Sequence, residues 1–210
     1  MIISHSKKFI YIHLYKTAGT SLKSALKDYD NYSFRSSTIK DKIRFLLNIY
    51  PKVYGKQYSK HINAIDLKKI IPNEIFENYY KFGFVRNPWD WQVSLYHYML
   101  KDKSHFQHEL IKKMYDFSTY IKWRVNNDIH FQKDYFYDKK GNCLVDFIGR
   151  FEKLEQDYYF ICKQLNIKQK ELPKLNVSNK KDYRSFYSDK TKDMVAKTFK
   201  KDIDFFKYEF

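Results

Sequence analysis

Glycine, proline and cysteine are all scarce in this chain of 210 residues, which has 5, 4 and 2 of them. So little glycine and proline excludes collagen-like, linker-rich and low-complexity designs. The two cysteines, Cys143 and Cys162, make neither a disulfide framework nor a zinc site, and a reduced, cytosolic setting fits them best. Because no run of 18 apolar residues occurs, the sequence predicts no membrane-spanning helix.

The few glycines also exclude two common nucleotide-binding fingerprints. They are Gly19, Gly55, Gly83, Gly141 and Gly149. No GxGxxG and no GxxxxGK[ST] can be assembled from these positions, so the dinucleotide fingerprint and the usual ATP or GTP loop are absent.

Positive charge is in excess, with 40 Lys and Arg against 24 Asp and Glu and a net charge of +16. Such a charge favours anionic partners, among them nucleotides, nucleic acid, acidic glycans and anionic lipid. The abundance of Lys, Tyr, Phe, Ile and Asn is equally what an AT-rich genome would encode, so the charge alone does not decide between functions. With 43% hydrophobic residues, we expect one folded domain over residues 1–210.

The hydrophobic pattern predicts an α/β fold. Residues 8–14 are predicted to form a buried strand, followed by a turn of small residues and a helix over 21–29. A second strand is predicted over 81–86, ended by Asn87-Pro88, with a helix to about residue 101. Further predictions are helices over 38–50, 151–166 and 189–201, helical structure over 102–134, and two strand-like stretches within 135–147.

The turn after the first predicted strand has the composition of an anion-binding loop. It consists of Lys16, Thr17, Ala18, Gly19, Thr20 and Ser21. Ala18 and Gly19 let an anion approach the backbone, whose N–H groups open the next helix, and Lys16 adds a positive charge. An ordinary turn with a Ser or Thr helix cap is the alternative reading.

A second segment follows the second predicted strand. Arg86 lies at the strand's carboxyl end and Ser94 lies eight residues later on the next helix. A guanidinium and a hydroxyl in these positions can converge on one phosphate. The alternative is that Arg86 pairs with Asp90 and that Ser94 is a solvated helix residue.

Together the two segments resemble the sulfotransferases that use 3′-phosphoadenosine-5′-phosphosulfate (PAPS). In that family a K-T-[AG]-[GS]-T-S loop holds the 5′-phosphosulfate and an R-[ND]-P…S segment holds the 3′-phosphate. Residues 147–154, 172–176 and 202–208 are similar to later segments of the carbohydrate-directed branch, so the resemblance extends over nearly the whole chain. Tyr15 and Trp91 depart from it, since many members have proline and arginine there.

The resemblance implies a P-loop-like three-layer sandwich with a central, mostly parallel sheet flanked by helices. It implies PAPS as sulfuryl donor, PAP as product and no metal. The residues expected to bind this cofactor are Lys16, Thr17, Ala18, Gly19, Thr20, Ser21, Arg86, Ser94 and Lys180. Lys16 is also expected to act in catalysis by stabilising charge on the transferred group.

A histidine base is expected as well. His61 is preferred because related enzymes place a histidine base in a comparable segment, and a neutral imidazole can accept a hydroxyl proton. A structural or surface role for His61 stays open, with His13 as second choice. The loop 174–184, including Ser178 and Lys181 beside Lys180, is expected to close over the cofactor, although a solvated basic loop is equally open.

The acceptor expected from the resemblance is a sugar hydroxyl. Residues 101–135 are the expected acceptor wall; its candidate contacts are Lys112, Lys113, Lys122, Trp123 and Arg124. A plain surface helical layer is the alternative for each of these residues. Because animal Golgi members carry a membrane anchor and none is seen here, a cytoplasmic enzyme of bacterial or viral origin is expected.

Other readings stay open. A basic nucleic-acid-binding module would use the charge and the 20% aromatic residues, but no nucleic-acid-binding signature is present and no such partner is expected. A kinase-like P-loop phosphotransferase would need the Gly-Lys-Thr/Ser order, and a PAPS-binding protein without catalysis would not need His61. Contact with an anionic membrane surface and the oligomeric state are left undecided.

Overall fold

The computed structural model describes residues 1–30, 61–173 and 182–210, together with the single positions 39, 43 and 47. The chain divides into two compact units, which are described separately. The first is Met1–Val85 with Asp134–Leu175, and the second is Arg86–Lys133 with Asn176–Phe210. One domain over residues 1–210 stays a prediction. The helix predicted over 38–50 lies outside the described residues except at those three positions.

The first unit contains a four-stranded sheet in the order β1-β2-β3-β4 within the described residues. Its strands are β1 (Ile2–Ser4), β2 (Phe9–Tyr11), β3 (Tyr80–Val85) and β4 (Phe147–Arg150). Strand β1 runs antiparallel to β2, whereas β2, β3 and β4 are parallel. The predicted mostly parallel sheet is therefore confirmed.

Helices follow the strands along the chain. In chain order they are α1 (Gly19–Leu26), α2 (Ala64–Lys68), α3 (Asn73–Asn78), α4 (Pro88–Lys101), α5 (His108–Lys112), α6 (Phe117–Asn127), α7 (Leu154–Gln164), α8 (Asp189–Thr198) and α9 (Lys200–Phe206). Short 3-10 turns occur at Lys27–Tyr29, Lys133–Tyr135, Phe151–Lys153 and Tyr183–Phe186. None of the helices in the described ranges is long and apolar enough to cross a membrane.

Aromatic side chains build the core of the first unit on one face of the sheet. Because side chains alternate along a strand, every second residue of β2 and β3 points to this face. The cluster joins sheet residues to the apolar sides of α1 and α7, and includes Phe9, Tyr11, Phe82, Phe84, Leu22, Leu26, Tyr158 and Ile161. This packing fixes α1, and with it the loop that precedes it, against the sheet.

The opposite face of the sheet is covered as well. Lys81 of β3 lies on that face, with its Nζ 5.5 Å from the ring centroid of Phe76 in α3. A Cβ on Gly83 would lie 2.2 Å from the ring of Phe136, so glycine lets that ring pack directly on the sheet. The sheet of this unit thus has helical or irregular structure on both faces, as the resemblance implied.

The second unit is helical in the residues described. Asn87 caps α4 by accepting the N–H of Trp89 at 3.0 Å, and Pro88 occupies the first helical position, where its missing N–H costs nothing. The indole of Trp89 donates to the carbonyl of Lys192 at 3.1 Å. The predicted last helix over 189–201 is two helices, α8 and α9, which are separated at the buried Phe199.

Two predictions differ from the observed elements. The strand predicted over 8–14 is only β2, because the chain turns after Leu14 into the small-residue loop. The strand-like stretches within 135–147 form a single bridge between Tyr137 and Cys143, while the regular strand begins at Phe147. Asp138 explains this, since its carboxylate accepts the N–H groups of Lys140 and Asn142, each at 2.8 Å, and closes a tight turn.

Candidate active site

The loop between β2 and α1 has an unusual backbone. Lys16 and Ala18 both have φ of 64°, the left-handed region that non-glycine residues seldom adopt. The first helical bond of α1 runs from the N–H of Leu22 to the carbonyl of Ala18 at 3.1 Å. The amides of Gly19, Thr20 and Ser21 therefore open the helix with the N–H groups that attract anions.

The three hydroxyls of this loop differ in what they bind. Thr17 is buried and donates to the carbonyl of Leu14 at 2.7 Å, and Ser21 donates to the carbonyl of Pro173 at 2.8 Å. Each hydroxyl has one proton, so these two donors are engaged in holding the loop. Thr20 is exposed and is the hydroxyl of the loop that faces solvent.

Gly19 is required by the close approach of His13. The ring of His13 is buried, and a Cβ on Gly19 would lie 1.5 Å from its Nε2. His13 thus supports the start of α1 from beneath, which agrees with a packing role rather than with a base. A side chain at position 19 would force the imidazole or the loop to move.

His61 lies beside the same loop in the first unit. Its Nδ1 is 3.1 Å from the carbonyl oxygen of His13, and the centroids of the two imidazoles are 4.5 Å apart. The ring of Tyr15 contacts His61 edge-on at 5.8 Å. Because a carbonyl oxygen only accepts, Nδ1 carries the proton in this bond, and the lone pair of neutral His61 is on Nε2.

Tyr135 extends this aromatic group. Its ring meets that of Tyr15 at 6.1 Å in a T-shaped contact. Burial, and then the neighbouring Tyr15, raises the pKa of Tyr135, so its hydroxyl keeps its proton at neutral pH. The sequence analysis missed Tyr135, because a contact between residues so distant along the chain leaves no local pattern.

Arg86 lies in the second unit, one residue beyond the end of β3. Its side chain is 3% exposed and forms a forked pair with Asp90, Nε to Oδ2 and Nη2 to Oδ1, each at 2.8 Å. The alternative pairing considered from the sequence is therefore present. A guanidinium has further N–H donors beyond the two in this pair, so the pairing orients Arg86 without using up its donors.

Ser94 is half-buried on α4. No hydrogen bond joins its hydroxyl to another residue within 1–30, 61–173 or 182–210. Lys180, Ser178 and Lys181 lie outside the described residues, and so does most of the loop 174–184.

The expected acceptor wall at 101–135 contains both surface and interior residues. Lys112, Lys113 and Lys122 are exposed. Arg124 is 1% exposed, forms an ion pair with Asp128 and donates from Nε to the Oε1 of Gln92 at 3.2 Å. The expectation for Arg124 is wrong, because helical spacing places it on the inner side of α6, where it cannot contact an acceptor.

Metal ligation has little support in the described ranges. No group of three or more His, Cys, Asp or Glu residues there is placed to hold a metal ion. Cys143 is exposed, Cys162 is buried, and both are free thiols. The donors around the loop are N–H groups, hydroxyls and an ammonium, which bind anions.

An anion-binding loop between a parallel strand and a helix defines an α/β protein of the nucleotide-handling kind. A family model described as the sulfotransferase family matches residues 1–209. The chain therefore belongs to the sulfotransferase family, and the prediction of a PAPS-dependent sulfotransferase is confirmed.

Individual relatives are more distant. An uncharacterized protein of Archaeoglobus fulgidus is 25% identical over 120 residues, which make up 56% of this chain and 93% of that protein. The crystal structure of mouse sulfotransferase SULT7A1 complexed with PAP matches with a TM-score of 0.56 at 13% identity, and the match covers 96% of this chain and 86% of that one. This likeness confirms the predicted α/β fold class.

Proposed function

We propose that the protein transfers the sulfuryl group of PAPS to a hydroxyl of a carbohydrate by in-line displacement, with His61 as the base. The observation that carries this proposal is the position of His61 beside the Lys16–Ser21 loop, with its Nδ1 bonded to the carbonyl of His13. The sulfotransferase family supplies the reaction type.

The donor set of the loop suits a polyanionic cofactor. Left-handed backbone at Lys16 and Ala18, helix-opening amides and an ammonium are the features with which proteins bind phosphate-like groups. When bound, PAPS supplies an activated sulfuryl group together with its leaving group, PAP. PAP is also the ligand of the mouse sulfotransferase, which supports its use as the probe for this protein.

Lys16 has two proposed roles. Its ammonium binds the 5′ side of the cofactor and stabilises negative charge that develops on the oxygens of the transferred group. Thr20 adds an exposed hydroxyl, and Thr17 and Ser21 contribute by holding the loop in shape through Leu14 and Pro173. Ala18 and Gly19 keep the path to the backbone amides short.

His61 is proposed to take the proton of the acceptor hydroxyl at Nε2. The bond from Nδ1 to the His13 carbonyl selects this tautomer and stabilises the imidazolium that forms, while Tyr15 limits rotation of the ring. A base held by a second hydrogen bond loses less freedom when the acceptor arrives.

Arg86 and Ser94 are proposed to bind the 3′-phosphate of the same cofactor. A forked guanidinium matches the geometry of phosphate oxygens, and the Asp90 carboxylate holds Arg86 in one orientation before the anion arrives. Lys180 is proposed as a further contact. The cytoplasmic setting inferred from the cysteine content stays part of this proposal.

A carbohydrate acceptor is supported by the aromatic residues near His61. Tyr15 and Tyr135 form a T-shaped pair, and aromatic rings commonly stack on the apolar faces of sugars. Together with the resemblance to the carbohydrate-directed branch, this favours a sugar hydroxyl over a small phenol or amine.

The proposal is tested by sulfuryl transfer from PAPS to a panel of unsulfated polysaccharides and oligosaccharides. We expect His61→Ala to lower turnover about a hundredfold or more, with unchanged PAP affinity, because the base does not contact PAP. His97→Ala, which removes an exposed imidazole of α4, is the matched control and should keep full activity. Full activity of the His61 variant, or transfer only to non-carbohydrate hydroxyls, would contradict the respective part of the proposal.

A further inference from the structure

The backbone of Arg86 is held by a buried glutamine side chain. The N–H of Arg86 donates to the Oε1 of Gln132 at 2.9 Å, and the Nε2 of Gln132 donates to the carbonyl of Arg86 at 2.6 Å. Gln132 is 0% exposed. One side-chain amide therefore satisfies both polar backbone groups of a single residue.

This pairing begins where the sheet ends. The last residue of β3 is Val85, which pairs with Arg150 of β4. Buried backbone groups beyond that point still need partners, and the amide of Gln132 bonds to Arg86 as a neighbouring strand would. The chain direction is thereby fixed at the residue whose guanidinium has the proposed phosphate-binding role.

Gln132 is itself held in place from the C-terminal region. The N–H groups of Gln132 and Lys133 donate to Asp202 at 2.7 and 3.0 Å. Asp202 belongs to α9 and is 0% exposed. Bonds to a carboxylate are stronger than those between neutral groups, so a rigid connection runs from Asp202 through Gln132 to Arg86.

We propose that Gln132 is a positioning residue for recognition of the 3′-phosphate. It fixes the backbone of Arg86, while Asp90 fixes the guanidinium at the other end of the side chain. Both ends of the arginine are then set before the ligand binds, which reduces the freedom lost on binding. This inference rests on the proposed role of Arg86.

The competing explanation is that Gln132 only stabilises the fold. The two explanations differ in the selectivity for PAP over 5′-AMP, which lacks the 3′-phosphate. A loss of fold stability alone lowers the folded fraction and leaves the ratio of the two affinities unchanged. A positioning role changes that ratio in the protein that remains folded.

The experiment measures both affinities by calorimetry for the full chain and for Gln132→Leu, which keeps the bulk and removes both bonds. We expect the PAP to AMP selectivity to fall roughly tenfold, as for a displaced hydrogen-bonding partner. Val195→Ala is the control, because it creates a cavity at a fully buried site in α8 without contact to Arg86. It should lower stability and keep the selectivity.

A second variant covers the case in which Gln132→Leu does not fold. Asp202→Asn keeps the volume and leaves one acceptor oxygen for the two amides of Gln132 and Lys133. Removal of a negative charge would by itself favour anion binding, so a loss of selectivity in this variant has to come from altered positioning. We expect a smaller loss than for Gln132→Leu.

The outcomes separate this inference from the proposed function. If the wild type prefers PAP and Arg86→Ala abolishes the preference, while a folded Gln132 or Asp202 variant keeps it, the positioning role is wrong and the role of Arg86 stands. If the wild type has no preference, or Arg86→Ala keeps it, both are wrong. A loss in the Gln132 or Asp202 variant and none in Val195→Ala supports the positioning role.

Discussion

Gly19 and His13 depend on each other at the start of α1. Alanine is normally the better helix residue by about 1 kcal/mol, but a Cβ here would lie 1.5 Å from the imidazole of His13. We expect Gly19→Ala to lower the free energy of unfolding, with an overpacking cost of about 1–3 kcal/mol, and to weaken PAP binding because the loop shifts.

Urea unfolding measures the first effect and calorimetry with PAP the second. Ser24→Ala, in the same helix, is the matched control, since Ser24 is only half-buried and alanine suits a helix. If Gly19→Ala is as stable as Ser24→Ala, the packing of His13 does not determine the residue at position 19.

Single residues also mark how far the sequence could predict the site. The loop residues and Arg86 were found because they lie in continuous segments with a recognisable pattern. The use of Thr17 and Ser21 to hold the loop was not predicted, because their acceptors at Leu14 and Pro173 are set by tertiary structure. Gln132 was missed for the same reason, since its partner is Arg86, far away in sequence.

Among the helices, α6 depends on a charged cap. The carboxylate of Asp116 accepts the N–H of Thr119 at 2.7 Å, and bonds to Thr119, from its N–H above all, lower the pKa of Asp116. A lowered folded-state pKa means that this stabilisation is present above the ordinary pKa of aspartate and is lost as the pH falls through the folded-state value. We expect Asp116→Ala to destabilise the protein at neutral pH, with a difference from wild type that shrinks in acid.

Urea unfolding at neutral pH and in acid provides the measurement. Asp193→Ala removes an exposed carboxylate from the middle of α8, where it caps nothing, and is the control. A difference between Asp116→Ala and wild type that grows on acidification would contradict the assigned cap.

The accuracy of prediction at the level of elements follows from local signal. Strands β2 and β3 were predicted because each is a run of aromatic and β-branched residues ended by turn residues. Strand β1, Ile2–Ser4, is too short for any periodicity, and its pairing with β2 is a tertiary contact. The break at Phe199 was missed because the apolar spacing continues across it, while the side chain of Phe199 turns inward.

At the scale of the molecule, the fold class and the family were predictable because two spaced motifs occur in the right order on matching elements. The net charge of +16 was not decisive by itself, since composition acts on solubility and association rather than on a particular site. It does predict that binding of a polyanion weakens as ionic strength rises.

The central claim is that this chain binds PAPS through separate contacts to its two ends, and titration with PAP tests it most directly. Calorimetry at low and at raised salt, with ATP and 5′-AMP as controls, should give tight binding of PAP, weak binding of AMP and loss of the preference in Arg86→Ala. The affinity for PAP should fall as salt rises. Absence of PAP binding by the folded protein, or equal affinity for PAP and AMP, would contradict the account.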